Sequence, residues 1–220
     1  MFVKIEGITS EEDALLAIAM GADALGFVFA PSPRQIAPGR VADIVKRLPA
    51  EILTIGVFQD EAAQRVVDIV GHAGLKGAQL HGHESAEVTK WVAERVWTIK
   101  AFAAGDHAIA NGAAYGVRAI IIDAPSPGSG QVFDWKLADG APPGVPLILA
   151  GGLNAENVAD AIKAVRPWGV DVCTGVESSP GKKDPRKLHA FIAAAKAAAP
   201  VPDQADADDG PYDWRLDPKR

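Results

Sequence analysis

Two carboxylates, Glu6 and Asp123, each end a short apolar run that is typical of a buried strand. A pair of this kind supplies a general base and a general acid when the surroundings push the two pKa values apart. The alternative is that each carboxylate is held by a nearby lysine, Lys4 or Lys100, because a charge at the end of an apolar strand is costly unless it is paired. The residues by themselves leave both readings open.

Two glycine-containing loops, Gly151-Gly152 and Thr174-Gly175, follow the last two predicted strands. Backbone N–H groups of such loops bind anions, and barrels frequently bind phosphate at this place. The alternative is that these glycines only make tight turns. Two such loops on consecutive strands favour a phosphate site.

Three further side chains lie near predicted strand ends. Arg34, in a Pro-rich loop, suits a bidentate contact with a carboxylate, or is a surface arginine. His81 is either a ligand contact or a buried histidine bonded to its own backbone. Cys173, the single cysteine, is interpreted as a buried structural thiol.

We expect neither a metal nor a nucleotide cofactor. One cysteine excludes a multi-cysteine zinc site, and the histidines and carboxylates lack the spacing of metal ligands. There is no GxGxxG after the first strand and no P-loop.

Composition narrows the class of protein. Apolar residues make up 48% of 220 residues, enough for a large core, and 22 basic against 28 acidic residues give a net charge of −6. This balance argues against nucleic-acid binding. No apolar run is long enough to cross a bilayer, and the N-terminus lacks the pattern of a signal peptide, so the sequence predicts a soluble cytoplasmic protein without a membrane partner.

The chemistry-bearing residues are positioned by eight predicted strands that alternate with helical stretches. The strands are Val3–Glu6, Ala24–Phe29, Leu53–Phe58, Gly77–Leu80, Trp97–Phe102, Ala119–Asp123, Pro146–Ala150 and Gly169–Cys173. Continuous apolar runs indicate parallel strands buried on both faces. Helices are predicted near 10–20, 38–48, 60–73, 84–95, 106–113, 154–166 and 184–198.

This alternation predicts a single (β/α)₈ barrel over residues 1–199, with a doubly wound sheet as the alternative. The stretch 124–144 is predicted to be a long loop with at most one helical turn. Residues 200–220 are rich in Asp and Pro and are predicted to form a disordered acidic tail.

Several motifs, in order, resemble the phosphoribosylanthranilate isomerase family over about residues 2–197. The motifs are Lys4-Ile5-x-Gly7-Ile8-Thr9, Gly21–Phe29, Ser32-Pro33-Arg34, Gly56-Val57-Phe58, Gln79-Leu80-His81-Gly82, Phe133-Asp134-Trp135, Leu149–Leu153, Gly169–Val172 and Gly175–Ser178.

The resemblance implies a cofactor-free barrel that rearranges N-(5′-phosphoribosyl)anthranilate to 1-(2-carboxyphenylamino)-1-deoxyribulose 5-phosphate in tryptophan biosynthesis. It places the general acid on Asp123 and the phosphate on the two glycine-containing loops. It also implies that Arg34 meets the anthranilate carboxylate, and that Gln79, His81 and Asp171 contact the substrate. The family allows a monomer or a homodimer.

One position departs from the family. The family motif is Lys-Ile-Cys-Gly, and its cysteine is the general base, whereas this chain has Glu6. In the first alternative, Glu6 is a substitute base, and partial burial raises its pKa towards a value that suits a base. In the second, the enzyme is weakened or silent but binds the same ligand. The third alternative is a related sugar-phosphate isomerisation.

Overall fold

The computed structural model describes residues 1–124, 134–138 and 140–199. Within them, eight parallel strands form a closed barrel in which each strand pairs with the next and β8 pairs with β1. This closure confirms the predicted (β/α)₈ barrel and excludes the doubly wound sheet. The predicted tail 200–220 and most of the Pro/Gly-rich stretch after Ala124, including Phe133, lie outside the described residues.

The strand positions predicted from the sequence are confirmed, and no strand end shifts by more than one residue. The barrel strands are β1 Phe2–Glu6, β2 Ala24–Val28, β3 Leu53–Phe58, β4 Gly77–Leu80, β5 Trp97–Ala103, β6 Ala119–Asp123, β7 Leu147–Leu149 and β8 Gly169–Val172. A short hairpin, β9 Glu177–Ser179 with β10 Lys182–Lys183, was not predicted.

Six α-helices pack around the barrel. They are α1 Glu11–Ala19, α2 Pro38–Val45, α3 Ala63–Ala73, α4 Ala86–Ala93, α5 Val158–Val165 and α6 Pro185–Ala197. Three 3₁₀ segments, His107–Tyr115, Trp135–Ala138 and Thr174–Val176, complete the described elements. The segment 106–113 was predicted as an ordinary helix. Its first turn is closed by Asp106, and the segment ends at Gly116 in the left-handed conformation.

The core has two parts because side chains on a strand alternate between the two faces of the sheet. One apolar cluster fills the barrel interior with residues spaced by two, such as Ile99 and Ala101 on β5 or Ala119 and Ile121 on β6. A larger cluster lies between the strands and the surrounding helices. The interior apolar cluster ends below the carboxyl ends of the strands. At those ends the barrel is lined by polar side chains.

Side-chain oxygens accept hydrogen bonds from backbone N–H groups at the start of three helices. Ser10 Oγ accepts a hydrogen bond from Asp13 N at 3.1 Å, and Asp184 caps α6 with Pro185 in the first turn. Asn154 and Asn157 bond each other's backbone N–H groups through their side-chain oxygens before α5. These local contacts satisfy N–H groups that a helix leaves unpaired.

None of the helices that the structure describes is both long and apolar enough to span a membrane.

Replacing Ser10 with Ala is expected to lower the free energy of unfolding by about 1 kcal/mol, because the N–H of Asp13 loses its acceptor. Denaturant unfolding followed by circular dichroism measures the change. Ser10→Thr, which keeps an acceptor oxygen, is the matched control and should retain most of the stability. Equal losses in both variants would show that the cap is not the cause.

Candidate active site

A cavity opens at the carboxyl ends of the barrel strands. Polar groups that line it include Glu6, Arg34, His81, Asp123, Asp171, Cys173 and Thr174, together with backbone at Gly151, Gly152 and Gly175. Because all eight strands are parallel, residues at their carboxyl ends converge on one rim. The sequence-predicted side chains are therefore brought together, with one exception: Gln79 is fully buried and lies below the cavity.

Glu6 is held by a buried lysine on its own strand. Lys4 Nζ lies 2.6 Å from Glu6 Oε2 and 3.0 Å from Asp171 Oδ1, and the Lys4 side chain has no exposed surface. Lys4 and Glu6 are two residues apart and so share the inner face of β1, and Lys4 is paired in register with Asp171 of β8. The alternative raised from the sequence, a Lys4–Glu6 pair, is present.

This arrangement sets the ionisation of Glu6. Burial by itself would raise its pKa, but the charges of Lys4 and His81 and hydrogen bonds from Lys4 and Gln79 outweigh it and lower the pKa to about 2. The expectation that burial raises the Glu6 pKa towards a useful value is therefore wrong. Lys4, two positions earlier, was the signal that pointed to this result.

The second carboxylate of the cluster behaves in the opposite way. Burial raises the pKa of Asp171 to about 7, and the negative charges of Glu6 and Asp123 add to the effect, while Lys4 opposes it. Lys4 thus stabilises the charge on Glu6 more effectively than the charge on Asp171. Glu6 and Asp171 both form an ion pair with the same Lys4 ammonium group.

Asp123 lies against His81 in the wall of the cavity. Asp123 Oδ1 accepts a hydrogen bond from Ala124 N at 2.7 Å, and Oδ2 lies 3.3 Å from His81 Nε2. That Nε2 is buried and makes no well-formed hydrogen bond within the described part of the chain, so the contact is close but off-axis. Lys100, the other lysine considered as a partner, pairs instead with Glu84 at 2.9 Å.

Burial by itself lowers the pKa of His81. The contact with Asp123 and the negative charges of Glu6 and Asp123 outweigh that effect, so the pKa lies above its usual range. His81 was predicted either to contact a ligand or to bond its own backbone. Its ring contacts Gln79 and Asp123 rather than its own backbone, and it borders the cavity, so the ligand contact stays a prediction.

Arg34 reaches the cavity wall but is already paired. Its Nε and Nη2 donate to the Glu177 carboxylate at distances of 2.7 to 3.1 Å, and Nη2 also donates to Thr174 Oγ1. Nη1 has no hydrogen-bond partner among the residues that the structure describes and remains the group that can meet a ligand carboxylate. Glu177 was not assigned a role from the sequence, although it lies only three residues after Thr174.

The two glycine-containing loops touch each other. Gly151 and Gly152 have φ angles of 88° and 64°, the left-handed region that favours glycine. A Cβ at Gly175 would lie 2.0 Å from the carbonyl oxygen of Leu153, so no other residue fits that approach. The glycines therefore make tight turns, and they also bring two stretches of backbone to one side of the cavity.

Cys173 lies beside Glu6 at the rim, since β8 is adjacent to β1. Its Sγ is 3.8 Å from Glu177 Oε1, and burial raises its pKa to about 12. The thiol is therefore protonated near neutral pH and does not act there as a base or a nucleophile. This agrees with its interpretation as a structural thiol.

In residues 1–124, 134–138 and 140–199, no three or more His, Cys, Asp or Glu side chains are arranged so that they could hold a metal ion.

Comparison with known proteins agrees with this geometry. Residues 3–194 match the model of the family described as N-(5′-phosphoribosyl)anthranilate (PRA) isomerase. The N-(5′-phosphoribosyl)anthranilate isomerase of Desulforudis audaxviator is 48% identical over 203 residues, covering 89% of this chain and 98% of that protein.

Solved structures of phosphoribosyl anthranilate isomerases have the same fold as this chain. The phosphoribosyl anthranilate isomerase of Thermus thermophilus superposes with a TM-score of 0.84 at 40% identity, covering 90% of this chain and 99% of that one. A phosphoribosyl anthranilate isomerase in complex with reduced 1-(o-carboxyphenylamino)-1-deoxyribulose 5-phosphate superposes with a TM-score of 0.78 at 40% identity, with the same coverage. With a family match over residues 3–194 and a barrel that superposes on solved members, this chain belongs to the N-(5′-phosphoribosyl)anthranilate isomerase family of enzymes.

Proposed function

We propose that the protein catalyses the Amadori rearrangement of N-(5′-phosphoribosyl)anthranilate to 1-(2-carboxyphenylamino)-1-deoxyribulose 5-phosphate in tryptophan biosynthesis, with Asp123 as general acid and Glu6 as general base. The observation that carries the proposal is that both carboxylates line one cavity, with Gly151-Gly152 and Thr174-Gly175 on its rim. Turnover of the fluorescent anthranilate adduct by the purified protein tests it directly.

The first step opens the ribose ring. Asp123 gives a proton to the ring oxygen, the bond from C1 to that oxygen breaks, and the nitrogen lone pair forms a C1–N double bond. Ala124 N–H, already bonded to Asp123 Oδ1, stabilises the carboxylate that remains.

The second step removes the proton from C2. Glu6 takes it, and the C–H electrons form a C1–C2 double bond as the nitrogen regains its lone pair. Loss of the enol proton and protonation of C1 then give the ketone product. Glu6 has an oxygen, Oε1, without a hydrogen-bond partner among the described residues, and the side chain is 14% exposed towards the cavity.

A carboxylate whose pKa is about 2 is a weak base, so the substrate has to supply part of the driving force. The cationic C1–N double bond does this, because it acidifies the adjacent C2–H. Glu6 is fully ionised at neutral pH, so no proton has to be removed before it acts. These two facts make a carboxylate usable in place of the family's cysteine.

The remaining groups bind substrate. The Gly151-Gly152 and Thr174-Gly175 loops hold the phosphate with backbone N–H groups. Arg34, fixed by Glu177, presents Nη1 to the anthranilate carboxylate, and the buried ion pair keeps the guanidinium in one orientation. Asp171 accepts a hydrogen bond from a sugar hydroxyl. A cytoplasmic location and a monomeric or dimeric state stay predictions.

The Lys4–Glu6 ion pair also favours a second function, a barrel that binds the same ligand with little or no turnover. In that case the protein binds a reduced product analogue in calorimetry and does not convert the anthranilate substrate. Measurable turnover that depends on Glu6 contradicts this alternative.

Glu6→Gln is expected to lower kcat by about 100- to 10,000-fold, because the amide cannot take the C2 proton while it still accepts from Lys4. Steady-state fluorescence kinetics measure the change. Glu94→Gln, at an exposed carboxylate (59%), is the control and should leave kcat unchanged. Full activity of Glu6→Gln would remove Glu6 from the mechanism.

Asp123→Asn is expected to reduce kcat by a similar factor of about 100- to 10,000-fold, since an amide has no proton to give to the ring oxygen. The same fluorescence assay measures the change. Asp160→Asn, at an exposed carboxylate, is the control and should leave kcat unchanged. If Asp123→Asn changes only KM, Asp123 binds substrate and is not the acid.

The pH dependence separates Glu6 from Asp171. Glu6 is active when ionised, and its pKa of about 2 keeps it ionised across any practical assay range, so it produces no acid limb. Asp171, with a pKa of about 7 set by burial and by Lys4, Glu6 and Asp123, is expected to make kcat/KM rise with pH through neutrality. Asp171→Asn should abolish this rise. A limb that persists in Asp171→Asn belongs to another group.

A further inference from the structure

Gln79 connects the two carboxylates that are proposed to act as base and acid. Its Nε2 lies 3.0 Å from Glu6 Oε2 and 2.9 Å from Nδ1 of His81, and the opposite ring nitrogen of His81 faces Asp123. Gln79 is fully buried on β4 and is not among the residues that border the cavity, so its amide contacts other side chains, and the substrate contact that the resemblance implies for it stays a prediction.

The orientation of the Gln79 amide follows from the ionised state of Glu6. An ionised carboxylate only accepts hydrogen bonds, so the group that faces Glu6 Oε2 has to be the NH₂ group. Reversing the amide would place Oε1 against a carboxylate oxygen. The present orientation leaves Gln79 Oε1 buried without a partner among the described residues, a cost that the two N–H donors outweigh.

The same NH₂ group then decides the tautomer of His81. One N–H is directed to Glu6 and the other to Nδ1, so Nδ1 has to be the unprotonated acceptor. A neutral imidazole with a bare Nδ1 carries its hydrogen on Nε2. That Nε2–H is buried, has no well-formed partner in the described part of the chain, and lies 3.3 Å from Asp123 Oδ2.

We propose, on the basis of the roles proposed for Glu6 and Asp123, that Gln79 is a positioning residue whose amide fixes His81 as the Nε2–H tautomer and so directs an N–H donor at Asp123 while it holds Glu6 in place. When Asp123 gives up its proton, negative charge develops on its Oδ2. The Nε2–H group of His81, which already lies beside that oxygen, stabilises the charge. An interaction that strengthens as charge develops lowers the barrier for ring opening.

The amide also limits the charge state of His81. The negative charges of Glu6 and Asp123 favour the imidazolium, whereas an imidazolium would direct Nδ1–H against the Gln79 N–H. Gln79 therefore opposes the imidazolium that the two carboxylates favour, because the doubly protonated ring would lose its acceptor at Nδ1. The reacting groups on opposite sides of the cavity are linked through one amide on β4.

The tautomer can be read directly in the free protein. In ¹⁵N-labelled full-length wild type, on the alkaline side of the His81 titration, long-range ¹⁵N–¹H spectra should show His81 as Nε2–H, with its signals identified by their loss in His81→Asn. A dominant Nδ1–H tautomer in the wild type overturns the proposal, and this measurement needs no variant of Gln79.

Two variants test the consequence for catalysis. Gln79→Glu replaces the donor with an acceptor, so His81 should shift towards Nδ1–H and kcat should fall by about 10- to 100-fold with KM unchanged. Gln79→Leu removes both hydrogen bonds and should give a similar loss in kcat of about 10- to 100-fold. Thr54→Val, at another buried polar position in the barrel, is the matched control and should keep wild-type kinetics and the wild-type tautomer.

Three outcomes contradict the role of Gln79. They are a Gln79→Glu variant that keeps the Nε2–H tautomer, a Gln79→Glu variant that keeps the wild-type kcat, and a Gln79→Leu variant that changes KM alone. Absence of turnover in the wild type is a different failure, because it contradicts the proposed function while the tautomer is still observed in the free protein.

Discussion

The mouth of this barrel depends on one buried ammonium. Lys4 has no exposed surface, and its Nζ contacts Glu6 and Asp171 at the same time. A buried charge requires partners, so the two carboxylates are needed to keep Lys4 in the interior, and Lys4 in turn decides how each carboxylate ionises. Removing one member would leave the other two unbalanced in a site shielded from water.

A connected set of polar contacts extends from this ammonium across the barrel. Lys4 holds Glu6, Glu6 accepts from Gln79, and Gln79 donates to His81, which faces Asp123. The rim next to Glu6 and Cys173 is fixed by the Arg34–Glu177 pair, with Lys183 bound to the same carboxylate. Below these contacts the interior is apolar, so the polar groups are concentrated at the end of the barrel where the cavity opens.

Glutamate at position 6 places a negative charge at the end of the first strand. A cysteine there would be neutral until deprotonated, whereas Glu6 is ionised and shares Lys4 with Asp171. The single cysteine of the chain, Cys173, directly follows β8 and is kept protonated by burial, which raises its pKa. The carboxylate is therefore the group at this position that carries an available pair of electrons.

The order of strands and helices follows from local sequence, because apolar runs, turn residues and caps such as Ser10 act over a few neighbouring residues. Local sequence also determined which end of the barrel carries the polar residues, since strand ends are marked by Glu6, Asp123 and the glycine pairs. It did not reveal the short hairpin Glu177–Ser179 with Lys182–Lys183 or the 3₁₀ character of His107–Tyr115.

The ion-pair partners of the buried charged side chains depend on the tertiary structure. Lys4 and Asp171 are 167 residues apart, and Arg34 and Glu177 are 143 residues apart, so neither pair can be read from local spacing. The pKa values of Glu6 and Asp171 follow from burial and from distances to charges, and both quantities exist only after the barrel closes. Local chemistry fixes where a carboxylate stands on its strand, but the opposite and neighbouring strands decide whether it holds a proton.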